Sequence, residues 1–244
     1  MNKIITYDTL RNFTYSNDTL CKVPVKGVVL FFRGLGAKDM FREDPEIALR
    51  YAEQGIVYLV PYYNPWNWMN RQALAYTEEI LDVLFAHYGW NEDLPIVSTG
   101  QSMGGLASLI FTARAKRTPK ACVANCPVCD LVYHVTERED LPRTLYSAFF
   151  DCEGSMEDIL ADYSPLHLAQ KGEMPKADYH IFHCTEDKSV NMQRHSDRFV
   201  AEMKKNRKIT YYPVLDQGHC KLSEAAWEKY YALPEDIILE RGKQ

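Results

Sequence analysis

The chain has 244 residues, 28 of them basic and 33 acidic, for a net charge of −5; 46% are hydrophobic and 25% charged. That balance fits a soluble globular protein, and 16 Tyr, 10 Phe and 4 Trp exclude a disordered one. It argues against a nucleic-acid partner, because phosphate binding needs a dense basic surface and the longest basic cluster, residues 204–208, reads as a solvated helix end.

Residues 1–26 read as one or two extended segments with a turn at Tyr15-Ser16-Asn17-Asp18. Val28–Phe32 is the first strong apolar strand, followed by the turn Arg33-Gly34-Leu35-Gly36 and a short helix over Pro45–Gln54. Strand Ile56–Val60 leads into an aromatic loop, Tyr62 to Met69, and a helix over Asn70–Tyr88 with Leu74, Ile80, Leu81, Leu84 and Phe85 at helical spacing. Strand Ile96–Thr99, helix Ser102–Ala115 and strand Ala121–Ala124 come next. Residues 130–176 show no strand pattern, which predicts a lid-like insertion of short helices over about 131–170. Strand Tyr179–His183, helix Asn191–Lys205, strand Ile209–Val214 and helix Ser223–Tyr231, stopped by Pro234, complete the chain. The alternation predicts one α/β domain over 1–244, with a mostly parallel, doubly wound sheet flanked by helices. In such sheets, sites lie at the edge where the strands end.

No apolar run approaches the ~20 residues that cross a bilayer, and Met1–Asp8 lacks the apolar stretch of a secretory signal. No membrane partner is expected. Seven cysteines, an odd number scattered from Cys21 to Cys220, do not form a disulfide framework and suit a reducing cytoplasm. Cys126-Pro127-Val128-Cys129 has no second pair to complete a zinc site and ends an apolar run rather than opening a helix. It reads as small buried residues at a strand end, and neither metal nor cofactor is expected.

Gly100-Gln101-Ser102-Met103-Gly104 is the strongest chemical signal, because it joins a strand to a helix. Flanking glycines leave the Ser102 hydroxyl free on a tight turn, and the helix start directs unpaired N–H groups at developing negative charge. A serine needs a base, and His219, on the Gly218 turn after the last strand, is placed to reach the same edge. His87, His134, His167 and His195 read as structural, and His180 and His183 as packed within a strand. The base needs an orienting acid. Asp187, in the loop after Tyr179–His183, is preferred over Glu186, with Asp130 as a second candidate. The order Ser, Asp, His is one of the known orders of this constellation. The turn Arg33–Gly36 can aim a backbone N–H at the site, and Leu35 and Met103 are assigned as the oxyanion donors.

With these parts the chain resembles the α/β-hydrolases, within their esterase and prolyl-oligopeptidase-like branch. The match is carried by Gly100–Gly104, Arg33–Gly36, Thr185–Val190 and Gly218-His219, and spans about residues 27–231. Ser164-Pro165-Leu166-His167 also resembles the segment after the small lid of such enzymes. Arg33 stands where the family usually has His, and Cys184 where glycine is common. The resemblance implies acyl-enzyme hydrolysis of a small-molecule carboxylic ester with a small or aromatic acyl group, Ser102, His219 and Asp187 carrying the chemistry. Tyr63, Trp66 and Trp68 in the aromatic loop and Tyr146 in the insertion are the expected substrate contacts. A peptidase acting on short peptides and a non-catalytic ligand-binding homologue are the competing readings. Oligomeric state is not legible.

Overall fold

Strands that read as continuous apolar runs are buried on both faces, and this sets the architecture. The structure is a computed structural model that describes residues 4–241; what was expected of Met1–Lys3 lies outside these residues. The strands are β1 (Thr14–Ser16), β2 (Gly27–Phe32), β3 (Ile56–Pro61), β4 (Ile96–Gln101), β5 (Ala121–Asn125), β6 (Asp178–Cys184) and β7 (Ile209–Val214). They form one sheet in the order β1-β3-β2-β4-β5-β6-β7. All neighbours pair in parallel except β1, which lies antiparallel on β3. β3 and β5 are buried along their whole length, while the edge strand β7 is mostly part-exposed and tolerates Pro213. Pairing of Phe32 with Gly100 and of Gln101 with Asn125 brings the ends of β2, β4 and β5 level.

The helices are α1 (Glu46–Glu53), α2 (Arg71–Tyr88), α3 (Met103–Arg114), α4 (Leu131–His134), α5 (Leu141–Ala148), α6 (Met156–Asp162), α7 (Pro165–Gln170), α8 (Arg198–Met203) and α9 (Glu224–Ile238). Asn70 caps α2 by accepting from Ala73 N, and Gly89 closes it at φ 62°. One sheet face packs on α2, α3 and α8 through residues such as Phe32, Leu84, Leu106 and Phe199. The other packs on α1 and α9 through Tyr51, Val60, Tyr230 and Ile238.

Two expected elements differ. The last helix does not stop before Pro234 but runs through it to Ile238. Proline removes one N–H and crowds the preceding turn, yet tertiary contacts hold the segment beyond it. Glu235 receives Arg50 at 3.0 Å and pairs with Arg241, and Ile238 is buried against Gly27. The helix expected over 191–205 opens with a wide π-type turn, Gln193–Asp197, before α8. There the His195 ring docks on the backbone N–H groups of Cys129 and Asp130. The N-terminal segment supplies β1 between two 3-10 turns, Leu10–Asn12 and Asp18–Leu20. Between β5 and β6 the chain forms α4 to α7, and Leu141, Leu145, Phe149, Leu160 and Leu166 of this stretch are part of the main core.

Candidate active site

β4 ends at Gln101 and α3 starts at Met103, so Ser102 alone makes the turn, at φ 57° and ψ −122°. A side chain at this φ is strained, and packing from three sides imposes it. Ser102 N donates to Asn125 O at 2.9 Å, and Tyr230 Oη donates to Gly100 O at 3.2 Å. A Cβ on Gly104 would lie 2.6 Å from Phe32 C and 2.9 Å from Arg33 C, so only glycine lets α3 sit this close to β2.

The loops after β6 and β7 are tied together: Thr185 N donates to Val214 O, Glu186 N to Gln217 O and Asp216 N to Thr185 Oγ1. This brings three predicted side chains into one hydrogen-bonded chain. His219 Nε2 is 2.9 Å from Ser102 Oγ, and His219 Nδ1 is 2.6 Å from Asp187 Oδ2. Asp187 Oδ1 accepts from Ser189 N and Val190 N at 2.8 and 2.9 Å, and its side chain is fully buried. Burial opposes charge on Asp187, but hydrogen bonds from His183 and His219 and from the Val190 N–H hold its carboxyl well below the usual carboxylate range. Burial likewise opposes charge on His219; the Asp187 hydrogen bond and charge outweigh it and raise the imidazole to about 9.

Asp130 is used elsewhere. It caps α4 by accepting from Tyr133 N and pairs with Arg198 at 3.2 Å. Among the described residues, the N–H groups of Leu35 and Met103 have no acceptor, whereas Gly36 N donates to Pro65 O and Ala37 N to Gly34 O. The first two are therefore available to a ligand oxygen. Ser102 and His219 open into a cleft of about 470 Å³ whose walls include Phe31, Arg33, Leu35 and Arg138.

The expected substrate contacts are not in this cleft. Tyr63 and Trp66 line a second cleft of about 470 Å³, between the β3–α2 loop and the Ser147–Asp151 segment. Trp68 is 1% exposed, and its indole N–H donates to Thr144 Oγ1 at 3.1 Å. Of the loop's two tryptophans, Trp68 beyond Pro65 is buried rather than displayed, while Trp66 stays about half exposed. Tyr146 is half exposed on α5 and lines neither cleft.

Several residues of the site carried no sequence signal. His183 Nε2 reaches Val190 O at 3.1 Å and Asp187 Oδ2 at 3.3 Å, bracing the acid. Its place in a strand pointed to packing, and only the four-residue step to Asp187 could have suggested more. Cys220 follows His219 and lies 3.6 Å from its Nε2. Arg138 reaches the cleft from the insertion.

A mostly parallel sheet between helix layers, with a strained serine between strand and helix at its edge, defines an α/β-hydrolase of the serine-hydrolase type. A model of the prolyl oligopeptidase family matches residues 55–233, and the chain belongs to that family. No curated protein sequence matches it. Among solved structures it is similar to a Mycobacterium tuberculosis puromycin-hydrolyzing peptidase, at 14% identity and a TM-score of 0.67 over 89% of this chain. It spans only 34% of that peptidase. It is similar also to Thermogutta terrifontis esterase 2, at 17% identity and a TM-score of 0.62, covering 94% of this chain and 89% of that one. Esterase PE8 is 14% identical, with a TM-score of 0.59 over 89% of this chain and 95% of its own.

Proposed function

We propose that the protein hydrolyses carboxylic esters with small acyl groups through an acyl-enzyme on Ser102. The observation that carries this reading is the hydrogen-bonded chain Asp187–His219–Ser102, with links of 2.6 and 2.9 Å. His219, in its neutral form, takes the Ser102 proton as Oγ attacks the carbonyl carbon, and Asp187 holds the imidazole tautomer and stabilises the cation formed. The Leu35 and Met103 N–H groups receive the oxyanion, each worth about 3 kcal/mol in the transition state. The alcohol leaves with the proton from His219, and water activated by the same nitrogen releases the acid. A peptidase reading is favoured by the family model and by the solved peptidases. The ester reading is supported by the named esterases, which this fold matches over 89% and 95% of their chains. The aromatic acyl preference loses its support where Tyr63, Trp66, Trp68 and Tyr146 do not line the cleft at Ser102. Seven free thiols suit a reducing compartment such as the cytoplasm, and among the described residues no helix is long and apolar enough to cross a membrane.

Ser102→Ala is expected to lower kcat/KM on p-nitrophenyl acetate by about 10⁴-fold or more while the protein stays folded. Retained turnover would overturn the assignment. Parallel assays on aminoacyl anilides separate peptidase from esterase.

A further inference from the structure

Among the described residues, three groups of side chains bring nitrogen, sulfur or carboxylate ligands within 4.8 Å of one another: His134 with Glu137 and His195, Cys126 with His183 and Asp187, and Cys126 with His219 and Cys220. Tautomers exclude the first two. His195 Nδ1 accepts from the N–H groups of Cys129 and Asp130, so Nε2 carries the proton and donates to Glu137 at 2.8 Å. His183 Nε2 donates to Val190 O at 3.1 Å. Neither of these ring nitrogens has a lone pair for a cation. His219 differs: its Nδ1–H is given to Asp187, which leaves Nε2 with a lone pair in the neutral ring.

We propose that Cys126, His219 and Cys220 form a binding site for a thiophilic divalent cation, with Zn²⁺ the best fit, at the nitrogen that also faces Ser102. Cys220 Sγ lies 3.6 Å from His219 Nε2. Zinc bonds of about 2.3 Å to sulfur and about 2.05 Å to nitrogen, at a tetrahedral angle, set that edge at about 3.6 Å and a sulfur–sulfur edge at about 3.8 Å. The His219–Cys220 edge already has this length, and Cys126 Sγ needs to close by no more than about 1 Å. By contrast, the 2.5 Å His134–Glu137 contact is a hydrogen bond, about 1 Å too short for an edge.

The surroundings also fit. Cys126 Sγ accepts from Cys184 N and Cys220 N, both at 3.4 Å, donors that support a thiolate once the metal displaces its proton; in the metal-free protein Cys184 lowers the thiol, but the neighbouring Cys220 and burial outweigh it and push it up to about 11. Asp187 on the far nitrogen of His219 is the carboxylate–histidine support common behind zinc ligands. His219 and Cys220 line the cleft beside Ser102, which gives the ion its entry, and both cysteines are free. Binding takes up one cation on two thiolates and a neutral imidazole; the two thiol protons and, below about pH 9, the imidazolium proton of His219 go to solvent, and no electron moves. The fourth position is left to water or Ser102 Oγ. Site formation does not depend on the esterase reading. Its effect does: a cation on Nε2 occupies the lone pair that would take the Ser102 proton, so zinc inhibits turnover.

The test uses the full chain, stripped with a chelator and kept reduced with a phosphine. Zn²⁺ calorimetry is expected to give one site of micromolar or tighter Kd, and Cd²⁺ an ultraviolet thiolate-to-metal band at one equivalent. Cys126→Ser and Cys220→Ser, which keep a polar atom in place, should each weaken binding at least tenfold, with thermal melts confirming the fold. Cys129→Ser, outside the cluster, should not. A missing thiolate band, or serine variants that bind zinc as tightly as the parent, would overturn the site. Micromolar Zn²⁺ should inhibit p-nitrophenyl acetate turnover reversibly with EDTA, and each serine variant should need at least tenfold more zinc relative to its own metal-free rate. Stoichiometric binding without inhibition leaves the site standing and counts against His219 as the base.

Discussion

Gly104→Ala tests whether the closeness of α3 to β2 builds the site. The added Cβ would lie 2.6 Å from Phe32 C and 2.9 Å from Arg33 C, and nearer still to the Phe32 carbonyl oxygen. Ordinary carbon contacts need about 3.5 Å, so the start of α3 must retreat by about 1 Å. The obstruction is backbone on both sides and no rotamer relieves it. The retreat displaces Ser102 by a similar distance while His219 stays on the β7 loop, so the 2.9 Å contact loses its present length and direction. It also parts the Leu35 and Met103 N–H groups, which sit on the two segments being forced apart. Misplacement by about 1 Å costs on the order of 100-fold in rate, and overpacking costs about 1–3 kcal/mol. The expected result is kcat/KM on p-nitrophenyl acetate at least about 100-fold below the parent, with a lower urea midpoint. Gly172→Ala is the control: a Cβ there meets open space, and its positive φ, 75°, costs stability through backbone strain alone, so it should lose stability without losing rate. A Gly104→Ala protein within about threefold of the parent rate would refute the reasoning.

Removing the brace behind the acid, by His183→Gln, should lower kcat about tenfold and leave KM unchanged in steady-state assays, since one hydrogen bond to a charged group is worth about 1.5 kcal/mol. Burial opposes charge on Glu137, but hydrogen bonds from His134 and His195 hold its carboxyl at about 2. A folded pKa below the unfolded value of about 4.3 gives stability that is present above the unfolded pKa and lost as pH falls toward 2. Urea melts should therefore show the parent's advantage over Glu137→Gln shrinking by about 0.6 kcal/mol between pH 7 and pH 4. Trp68→Ala should cost about 3–5 kcal/mol in urea melts, as for a buried core aromatic; Trp66→Ala, at an exposed ring, should stay within about 0.5 kcal/mol.

The sheet was legible because six strands carry β-rich runs, and for the inner ones burial on both faces leaves such runs no alternative. The elbow was legible for a related reason: a Cβ at Gly100 or Gly104 would collide with backbone, so the constraint is written in residue type. His219 and Asp187 could be placed because each follows a strand at the sheet's carboxyl edge. Trp68 and Tyr146 could not, since a ring in a loop has the same composition whether it turns to the core or to solvent. Pro234 misled because propensity is local, whereas the Glu235–Arg50 pair joins residues 185 apart in the chain. His183 was hidden in the same way: its bond to the acid loop depends on where Val190 folds back.

Cys126 shows why the three chemical loops stay in register. It follows β5 directly, at φ 45°, and its sulfur accepts the N–H of Cys184, at the end of β6, and of Cys220, in the loop after β7. One atom thus ties the strand beside the elbow to the roots of both the acid loop and the base loop. Asn125, the residue before it, accepts the Ser102 N–H, so the two residues at the end of β5 tie together the segments that carry Ser102, Asp187 and His219. Two buried backbone donors need an acceptor here, and leaving each unpaired would cost about 1–3 kcal/mol. Sulfur is a weak acceptor but a long-reaching one, able to meet two N–H groups at 3.4 Å where a shorter hydroxyl would strain to reach both. The reach that makes this sulfur a clasp also sets it beside His219 and Cys220, so the device that aligns the base brings a second ligand to it.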